Sequence, residues 1–272
     1  MTHRRSTGVV GLAAILLAGV LSPLSCYGAP ALLAIIIDDL GNARSAGERT
    51  ASLPGPVTCS VLPHTPLAAE LAESCRKSGK EVLVHLPMQP EGQSADPGPG
   101  ALRVGQTRAE FEHAVEASLV SVPGAGGLSS HMGSLLTRHI GYMDWLMTEL
   151  SRRGDLIFID SATTAHSVAL RLARDHGLPA ARRDLFLDDD PSPDAIRAQW
   201  QRGLSIAQRQ GSAIVIGHPR EHTLSLLEAE IAKLDSRGIM LVSISDVVRV
   251  SQAEGSESWQ PSSYRSHQAS RR

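Results

Sequence analysis

The chain has 272 residues, 42% of them hydrophobic and 20% charged, so it is long enough for one large α/β domain or two small ones. Its net charge of −2 gives no reason to expect nucleic-acid binding, and no nucleic-acid partner is predicted. Aromatic residues make up only 3% of the chain, which disfavours a long aromatic-floored groove and favours an enzyme that touches few sugar units.

The first 28 residues are predicted to be a signal peptide. Residues 3–5 supply a positive start, residues 9–20 form a short apolar run, and small residues follow that suit cleavage after Gly28. The apolar run is too short and too rich in Gly and Ala for a permanent membrane span, with a retained anchor as the alternative. We therefore expect an exported protein, periplasmic or secreted, with no stable membrane span after cleavage.

Residues 29–250 are predicted to form one domain in which strands and helices alternate. Short runs of Ile, Val and Leu are typical of strands buried on both faces of a parallel sheet, and they lie at 32–37, 57–62, 81–86, 126–130, 156–159, 184–187, 213–216 and 239–244. Helical patterns separate them, at 67–78, 108–120, 142–153, 165–176, 194–210 and 223–236. Seven or eight such units predict a closed (β/α) barrel of parallel strands, with an open doubly wound sheet as the alternative.

Three further segments have distinct compositions. Residues 89–105, rich in Pro and Gly, follow a strand end and are expected to form a lid or substrate loop. Residues 251–272 are polar and are predicted to be a disordered tail. After cleavage the domain keeps Cys59 and Cys75, and an oxidising compartment would permit one bond between them, although the core must hold the fold.

Acidic and imidazole side chains follow most of the predicted strands. In chain order these residues are Asp38, Asp39, His64, His85, His131, Asp160, Asp188 and His218. Because all strands of a parallel barrel end on the same face, we expect these side chains to build an active site there.

A divalent metal site is predicted from three of these residues. Asp39, His85 and His131 would supply one carboxylate oxygen and two imidazole nitrogens, a set that suits catalytic Zn²⁺ or a related ion with one open position. The alternative for Asp39 and its neighbour Asp38 is a solvated acidic turn or a helix cap, and a lone strand-end His is often structural. No paired-cysteine or HExxH motif is present, so the prediction depends on the fold.

The remaining polar residues are assigned to proton transfer and substrate binding. His218 would protonate a leaving group, with its pKa set by a nearby carboxylate. Asp160 or Asp188 would hold that imidazole or bind substrate hydroxyls, and Gln89 is included among the substrate-binding residues. The alternative for Asp160 and Asp188 is helix capping.

Two other hydrolase classes fit the sequence less well. A serine hydrolase is disfavoured because the sequence has no GxSxG elbow. A metal-free glycosidase would need two facing carboxyl groups, for which Asp38 and Asp160 are the candidates, but it would leave the histidines unused.

Six short motifs in this order resemble the divergent polysaccharide deacetylase family, part of the polysaccharide deacetylase superfamily of carbohydrate esterases. They are IIIDDLG at 35–41, HLPMQP at 85–90, SHMGS at 130–134, FIDS at 158–161, RDLFLD at 183–188 and IGHP at 216–219. The resemblance covers about residues 31–250 and implies an irregular (β/α) barrel.

The resemblance also implies roles for individual residues. Asp38 would be the base that takes a proton from water, Asp39 and His85 would hold a metal, and His218 would be the general acid. The implied reaction is removal of an acetyl group from a cell-envelope carbohydrate.

The chain departs from the typical superfamily pattern in one place that matters. Gln89 stands four residues after His85, where the second metal histidine is expected, so His131 must complete the site from another strand or no metal binds tightly. The alternative function is therefore a catalytically silent barrel that binds glycan or an envelope-remodelling protein partner.

Overall fold

The computed structural model describes Met1 and residues 29–92 and 95–258. The predicted signal peptide (1–28) and the segment 259–272 of the predicted tail lie outside these residues, apart from Met1. None of the described helices is long and apolar enough to cross a membrane.

Nine strands and eight α-helices alternate along the described chain. The strands are β1 (Ala31–Leu40), β2 (Thr58–Val61), β3 (Val82–Met88), β4 (Gly127–Met132), β5 (Ile157–Asp160), β6 (Ala180–Arg182), β7 (Leu185–Phe186), β8 (Ser212–Gly217) and β9 (Ile239–Leu241). The helices are α1 (Arg44–Ala51), α2 (Ala68–Lys77), α3 (Arg108–Ser121), α4 (Ile140–Ser151), α5 (Ala169–Asp175), α6 (Pro193–Gln210), α7 (Glu221–Glu230) and α8 (Ile244–Ser258).

The strands form one parallel sheet that curls into an incomplete barrel. The strand order is β6-β5-β4-β3-β2-β1-β8-β7, and β9 pairs with the first residues of β1. This arrangement confirms the predicted irregular (β/α) barrel, and the open doubly wound sheet is not the fold adopted.

Two apolar layers hold the barrel together. The larger lies between the outer face of the sheet and the surrounding helices, and Trp200, Phe111 and Phe158 are among its fully buried side chains. The smaller fills the inside of the barrel, where Val247 and Val248 of α8 pack against strand residues such as Ile36. Helix α8 therefore closes one end of the barrel and leaves the other end for polar side chains.

Several elements of the structure differ from those predicted. Helix α1 and strand β6 were not predicted, because α1 buries mainly small residues and β6 contributes two alanines instead of a branched aliphatic run. The apolar run at 239–244 was predicted as a single strand, but β9 ends at Leu241 and Ile244 begins α8. Helix α8 also extends to Ser258, beyond the predicted domain boundary at residue 250.

A disulfide bond joins Cys59 on β2 to Cys75 on α2. Both cysteines are fully buried, so the bond is part of the core between the sheet and this helix. It is the bond that the sequence permitted.

Candidate metal centre and acid–base pair

The two-residue period of the strands brings the reactive side chains to the inside of the barrel. The inner apolar layer contains one residue near the end of each of three strands: Ile36 on β1, Leu83 on β3 and Ile216 on β8. Two positions later the side chain points the same way, and those positions hold Asp38, His85 and His218. The inside of the barrel is thus lined by apolar side chains first and, two residues further along these strands, by polar ones.

Asp39 joins this group because the backbone departs from the regular strand. As the residue after Asp38, it would point outward in a continuous strand. Its φ is instead +60°, and the pairing register of β1 with β2 shifts between Ile37 and Leu40. This bulge turns both consecutive carboxyl groups toward the same end of the barrel.

Asp39, His85 and His131 form a compact triangle of potential metal ligands. His85 Nε2 lies 3.1 Å from His131 Nδ1 and 3.3 Å from Asp39 Oδ1, and His131 Nδ1 lies 3.1 Å from the same oxygen. Burial raises the pKa of Asp39, but its contacts with His131 and His85 lower it by more, so the carboxylate is ionised.

The triangle fits a divalent cation. Asp39 Oδ1 is buried without a hydrogen-bond donor, and two imidazole nitrogens face it and each other. Ligands about 2.0–2.1 Å from a tetrahedral Zn²⁺ are separated by roughly 3.3–3.4 Å, close to the three distances found here. The same three residues are those that the sequence predicted, and the structure brings them together.

His218 and Asp188 form a hydrogen-bonded pair beside the triangle. His218 Nδ1 lies 2.7 Å from Asp188 Oδ1, while Asp188 Oδ2 accepts hydrogen bonds from the His218 backbone N–H and from Thr223 Oγ1. Asp188 is fully buried, whereas the His218 side chain is 19% exposed. His218 Nε2, the free nitrogen, lies 3.7 Å from Asp39 Oδ2 and so faces the triangle.

The pair shifts the pKa of both members. Burial lowers the pKa of His218, but the hydrogen bond with Asp188 and its charge raise it by more. Burial raises the pKa of Asp188, and the hydrogen bond and charge of His218 outweigh this and lower it. The pair therefore favours an imidazolium held by a carboxylate, which is the form that donates a proton.

Asp38 approaches His85 at Nδ1, the ring nitrogen that is not part of the triangle. It is almost fully buried, and its Oδ1 has no hydrogen-bond partner and lies 3.4 Å from His85 Nδ1. An acceptor oxygen without a donor can take a proton, which is the property that the predicted base requires.

Two residues predicted to bind substrate instead contact the protein's own loops. The fully buried Asp160 accepts hydrogen bonds from the Ala162 backbone and Ser167 Oγ and pairs with Arg182 at 3.2 Å. It lies on the outer face of β5, since Ile159 belongs to the inner layer. The structure therefore does not bring Asp160 together with Asp38, as the glycosidase alternative required.

Gln89 likewise has a structural contact. Its Oε1 accepts a hydrogen bond of 2.8 Å from the backbone N–H of Val104, and its own backbone pairs with Leu102. Gln89 therefore anchors the far end of the 89–105 loop to the end of β3. Asp188, the third predicted substrate residue, holds His218, which is the other role that the sequence allowed.

Sequence reasoning missed the serines that contact His85 and the contact of Thr223 with Asp188. Ser129 Oγ lies 2.8 Å from His85 Nδ1 and 2.7 Å from Ser60 Oγ, and both serines are fully buried. The only sequence signal for the serines was polarity at inward positions of strands that are otherwise apolar.

A cleft of about 390 Å³ opens beside the triangle. Asp39 and His131 form one wall, and the loops after β1, β2 and β3 form the others, with Asn42, His64 and Asp96 among their polar groups. Prolines supply much of the remaining lining, and they are Pro63, Pro66, Pro87, Pro97 and Pro99. The volume lies within the range of small-molecule sites.

A family model described as divergent polysaccharide deacetylase matches residues 35–248, which include every residue of the triangle and the acid–base pair. The chain belongs to the divergent polysaccharide deacetylase family. The resemblance carried by the six motifs is thereby confirmed.

Two relatives of the chain are proteins of bacteria. The chain is 36% identical over 225 residues to the uncharacterized protein YibQ of Escherichia coli K12, covering 82% of this chain and 69% of that protein. It is 32% identical over 217 residues to an uncharacterized protein of Haemophilus influenzae, and this match covers 80% of this chain and 76% of that protein.

Solved structures share the fold of this member of the divergent polysaccharide deacetylase family. A crystal structure of an uncharacterized protein from Agrobacterium tumefaciens C58 superimposes with a TM-score of 0.77 at 21% identity. The superposition covers 81% of this chain and 90% of that protein. A variant of a CE4 family pseudoenzyme from Bacillus anthracis has a TM-score of 0.50 at 14% identity and covers 80% of this chain and 67% of its own.

Proposed function

We propose that this chain is an exported, metal-dependent hydrolase that removes N- or O-acetyl groups from a cell-envelope glycan. The observation that carries the proposal is the convergence of three elements at the same end of the barrel. These are a ligand triangle (Asp39, His85 and His131), a buried carboxylate without a partner (Asp38) and an imidazole held by a carboxylate (His218 with Asp188).

The triangle suits a divalent cation, with Zn²⁺ the expected ion because two of its three ligands are imidazoles. A cation bound there would polarise the acetyl carbonyl and lower the pKa of a neighbouring water. Asp39, ionised between the two histidines, supplies the negative charge that would hold such a cation.

The side chains around the triangle provide the two proton transfers. Asp38 takes a proton from the attacking water, whose oxygen bonds to the acetyl carbon. The C–N or C–O bond then breaks, acetate leaves, and the amine or hydroxyl oxygen of the sugar takes a proton from His218 Nε2. Asp188 favours the protonated imidazole and fixes Nε2 toward the reacting group.

The cleft beside the triangle supports a small carbohydrate substrate. Its volume is comparable to that of sites for small ligands, and its lining combines proline surfaces with a few hydrogen-bonding groups. A sugar ring has an apolar face and polar edges, so this lining suits it. The buried Cys59–Cys75 disulfide supports the exported location, since such bonds persist in oxidising compartments.

Acetate release from defined glycans tests this proposal. The purified chain is supplied with Zn²⁺ and a panel of N- and O-acetylated chitin and peptidoglycan oligosaccharides. Asp38→Asn and His218→Gln should each lower the rate by about 10²-fold or more, the usual contribution of a general base or acid. Asp189→Asn, an exposed neighbour of Asp188, should leave it unchanged. A rate that survives Asp38→Asn would contradict the assigned roles.

A second candidate is a catalytically silent barrel that binds glycan or an envelope protein partner. Gln89 favours it, because this residue replaces the second metal histidine of the superfamily pattern and is engaged with Val104. Saturable glycan binding without acetate release on any panel member, in a zinc-loaded chain, would favour this candidate over the hydrolase.

A further inference from the structure

A buried pair of serines lies directly beneath the ligand triangle. His85 pairs with Ser129 across neighbouring strands β3 and β4, and both side chains face the inside of the barrel. Ser129 Oγ lies 2.8 Å from His85 Nδ1, and Ser60 Oγ of β2 lies 2.7 Å from Ser129 Oγ. Both serines are fully buried, so water does not compete for these contacts.

The direction of these hydrogen bonds follows from the chemistry of a ligand imidazole. A neutral imidazole has one N–H and one lone pair, so if Nε2 offers its lone pair to the triangle, Nδ1 carries the proton. Nδ1–H then donates to Ser129 Oγ, and the Ser129 hydroxyl is left to donate to Ser60 Oγ. The two serines thus form an acceptor chain that matches the metal-binding tautomer.

Asp38 lies close enough to His85 to compete with Ser129 for the Nδ1 proton. Its Oδ1 lies 3.4 Å from the same Nδ1, which makes it the alternative acceptor for that proton. While Ser129 accepts the proton, Asp38 Oδ1 keeps its lone pairs. Without Ser129, the His85 Nδ1–H would donate its hydrogen bond to Asp38 Oδ1, the oxygen that takes a proton in the proposed reaction.

We propose that Ser129, supported by Ser60, is a positioning residue that fixes the tautomer and orientation of His85 and keeps its Nδ1 proton from Asp38. This inference rests on the proposed metal centre. Partners of this kind, which hold the distal nitrogen of a metal-binding histidine, typically change metal affinity by 10–100-fold.

Zinc affinity of matched variants tests the inference. The full chain is stripped of metal, and the dissociation constant for Zn²⁺ is measured by competition with a chromophoric chelator. Ser129→Ala should weaken binding by about 10–100-fold. Ser130→Ala is the matched control, because Ser130 is equally buried on the same strand but accepts from the Ser161 backbone and does not contact an imidazole. It should change the constant by less than about threefold, the context-dependent scatter of such contacts.

Ser60→Ala tests the second link of the chain. It should weaken zinc binding by less than Ser129→Ala but by more than Ser130→Ala, because Ser129 stays in contact with His85 and only loses its own acceptor. If Ser129→Ala does not fold, the wild-type zinc-loaded chain still gives a direct readout by nuclear magnetic resonance. The His85 Nδ1 proton should exchange slowly and show a contact with the Ser129 methylene.

Each result separates this inference from the function on which it rests. Equal losses in the Ser129 and Ser130 variants, or no loss in either, would overturn the positioning role while leaving the metal centre intact. A Nδ1 proton that contacts Asp38 would do the same. A wild-type chain that binds no zinc would overturn the metal-dependent function and this inference together.

Discussion

Asp38 and Asp39 are consecutive in the chain, yet both carboxyl groups contact the same imidazole. His85 Nδ1 lies 3.4 Å from Asp38 Oδ1, and His85 Nε2 lies 3.3 Å from Asp39 Oδ1. Neighbouring residues of a regular strand cannot do this, because their side chains point to opposite faces. The left-handed φ of Asp39 makes both contacts possible. It places the Asp39 carboxylate in the ligand triangle and leaves the Asp38 carboxylate outside it.

The left-handed backbone at Asp39 predicts different costs for two substitutions that both remove the charge. Asn adopts this conformation more readily than Ala, so Asp39→Ala should be about 1 kcal/mol less stable to urea than Asp39→Asn in the metal-free chain. Both variants should lose zinc binding. Equal stability of the two would show that the bulge is not required at this position.

The contact between Gln89 and Val104 predicts that restoring the superfamily histidine does not build a tighter site. Because His131 already completes the triangle, Gln89→His should change zinc affinity by less than about threefold, whereas His131→Ala should lower it by at least the tenfold typical of a metal-site lesion. The same substitution removes the acceptor for the Val104 N–H, so limited proteolysis should cut the 89–105 loop faster. A large gain in affinity would mean that residue 89 can reach the ion.

The acid–base pair predicts a pH window for stability. The raised pKa of His218 gives stability that is complete below about pH 6.5, the ordinary value, and is lost as the pH rises through the raised value. The lowered pKa of Asp188 gives stability that is present above about pH 3.9 and is lost below that. The pair therefore contributes most between these limits.

Asp188→Asn measures that contribution. In the metal-free chain it should lower the free energy of unfolding by about 3 kcal/mol near pH 5.5, and the difference from wild type should shrink toward pH 9. Asp189→Asn, its exposed neighbour, should change stability by less than about 0.5 kcal/mol at either pH. A difference independent of pH would show that Asp188 acts by packing and hydrogen bonding alone.

The disulfide predicts a redox-dependent stability. Cys59 and Cys75 are separated by 16 residues, and closing a loop of this size stabilises a fold by about 3 kcal/mol in the chain-entropy account. Reductant should therefore lower the urea midpoint of wild type to about that of the Cys59→Ala/Cys75→Ala double variant, on which reductant has no effect. An unchanged wild-type midpoint would contradict a stabilising bond.

The sequence was sufficient for the barrel and for the residues at its open end, because most of the buried strands are followed by an acidic or imidazole residue. It was not sufficient for the direction in which those side chains point. Strands such as β5 are apolar on both faces, so Ile157, Phe158 and Ile159 show no alternation that would place Asp160 outside. The roles of Asp160 and Gln89 therefore became visible only with their partners in place.

The same reason explains the parts of the site that the sequence did not predict. The bulge at Asp39 has no sequence mark other than a following Gly41, and Ser129 became a partner of His85 only through the register of β3 with β4. Helix α1 and strand β6 lack the branched aliphatic residues from which elements are recognised.

The proposed function depends on a metal held by Asp39, His85 and His131, so its most direct test is the metal content of the purified chain. Elemental analysis is made after incubation with divalent ions and dialysis, for wild type, His131→Ala and His166→Ala, an exposed histidine outside the triangle. We expect about one equivalent of Zn²⁺ in wild type and in His166→Ala, and far less in His131→Ala. Wild type without bound metal, or undiminished metal in His131→Ala, would contradict the proposed centre.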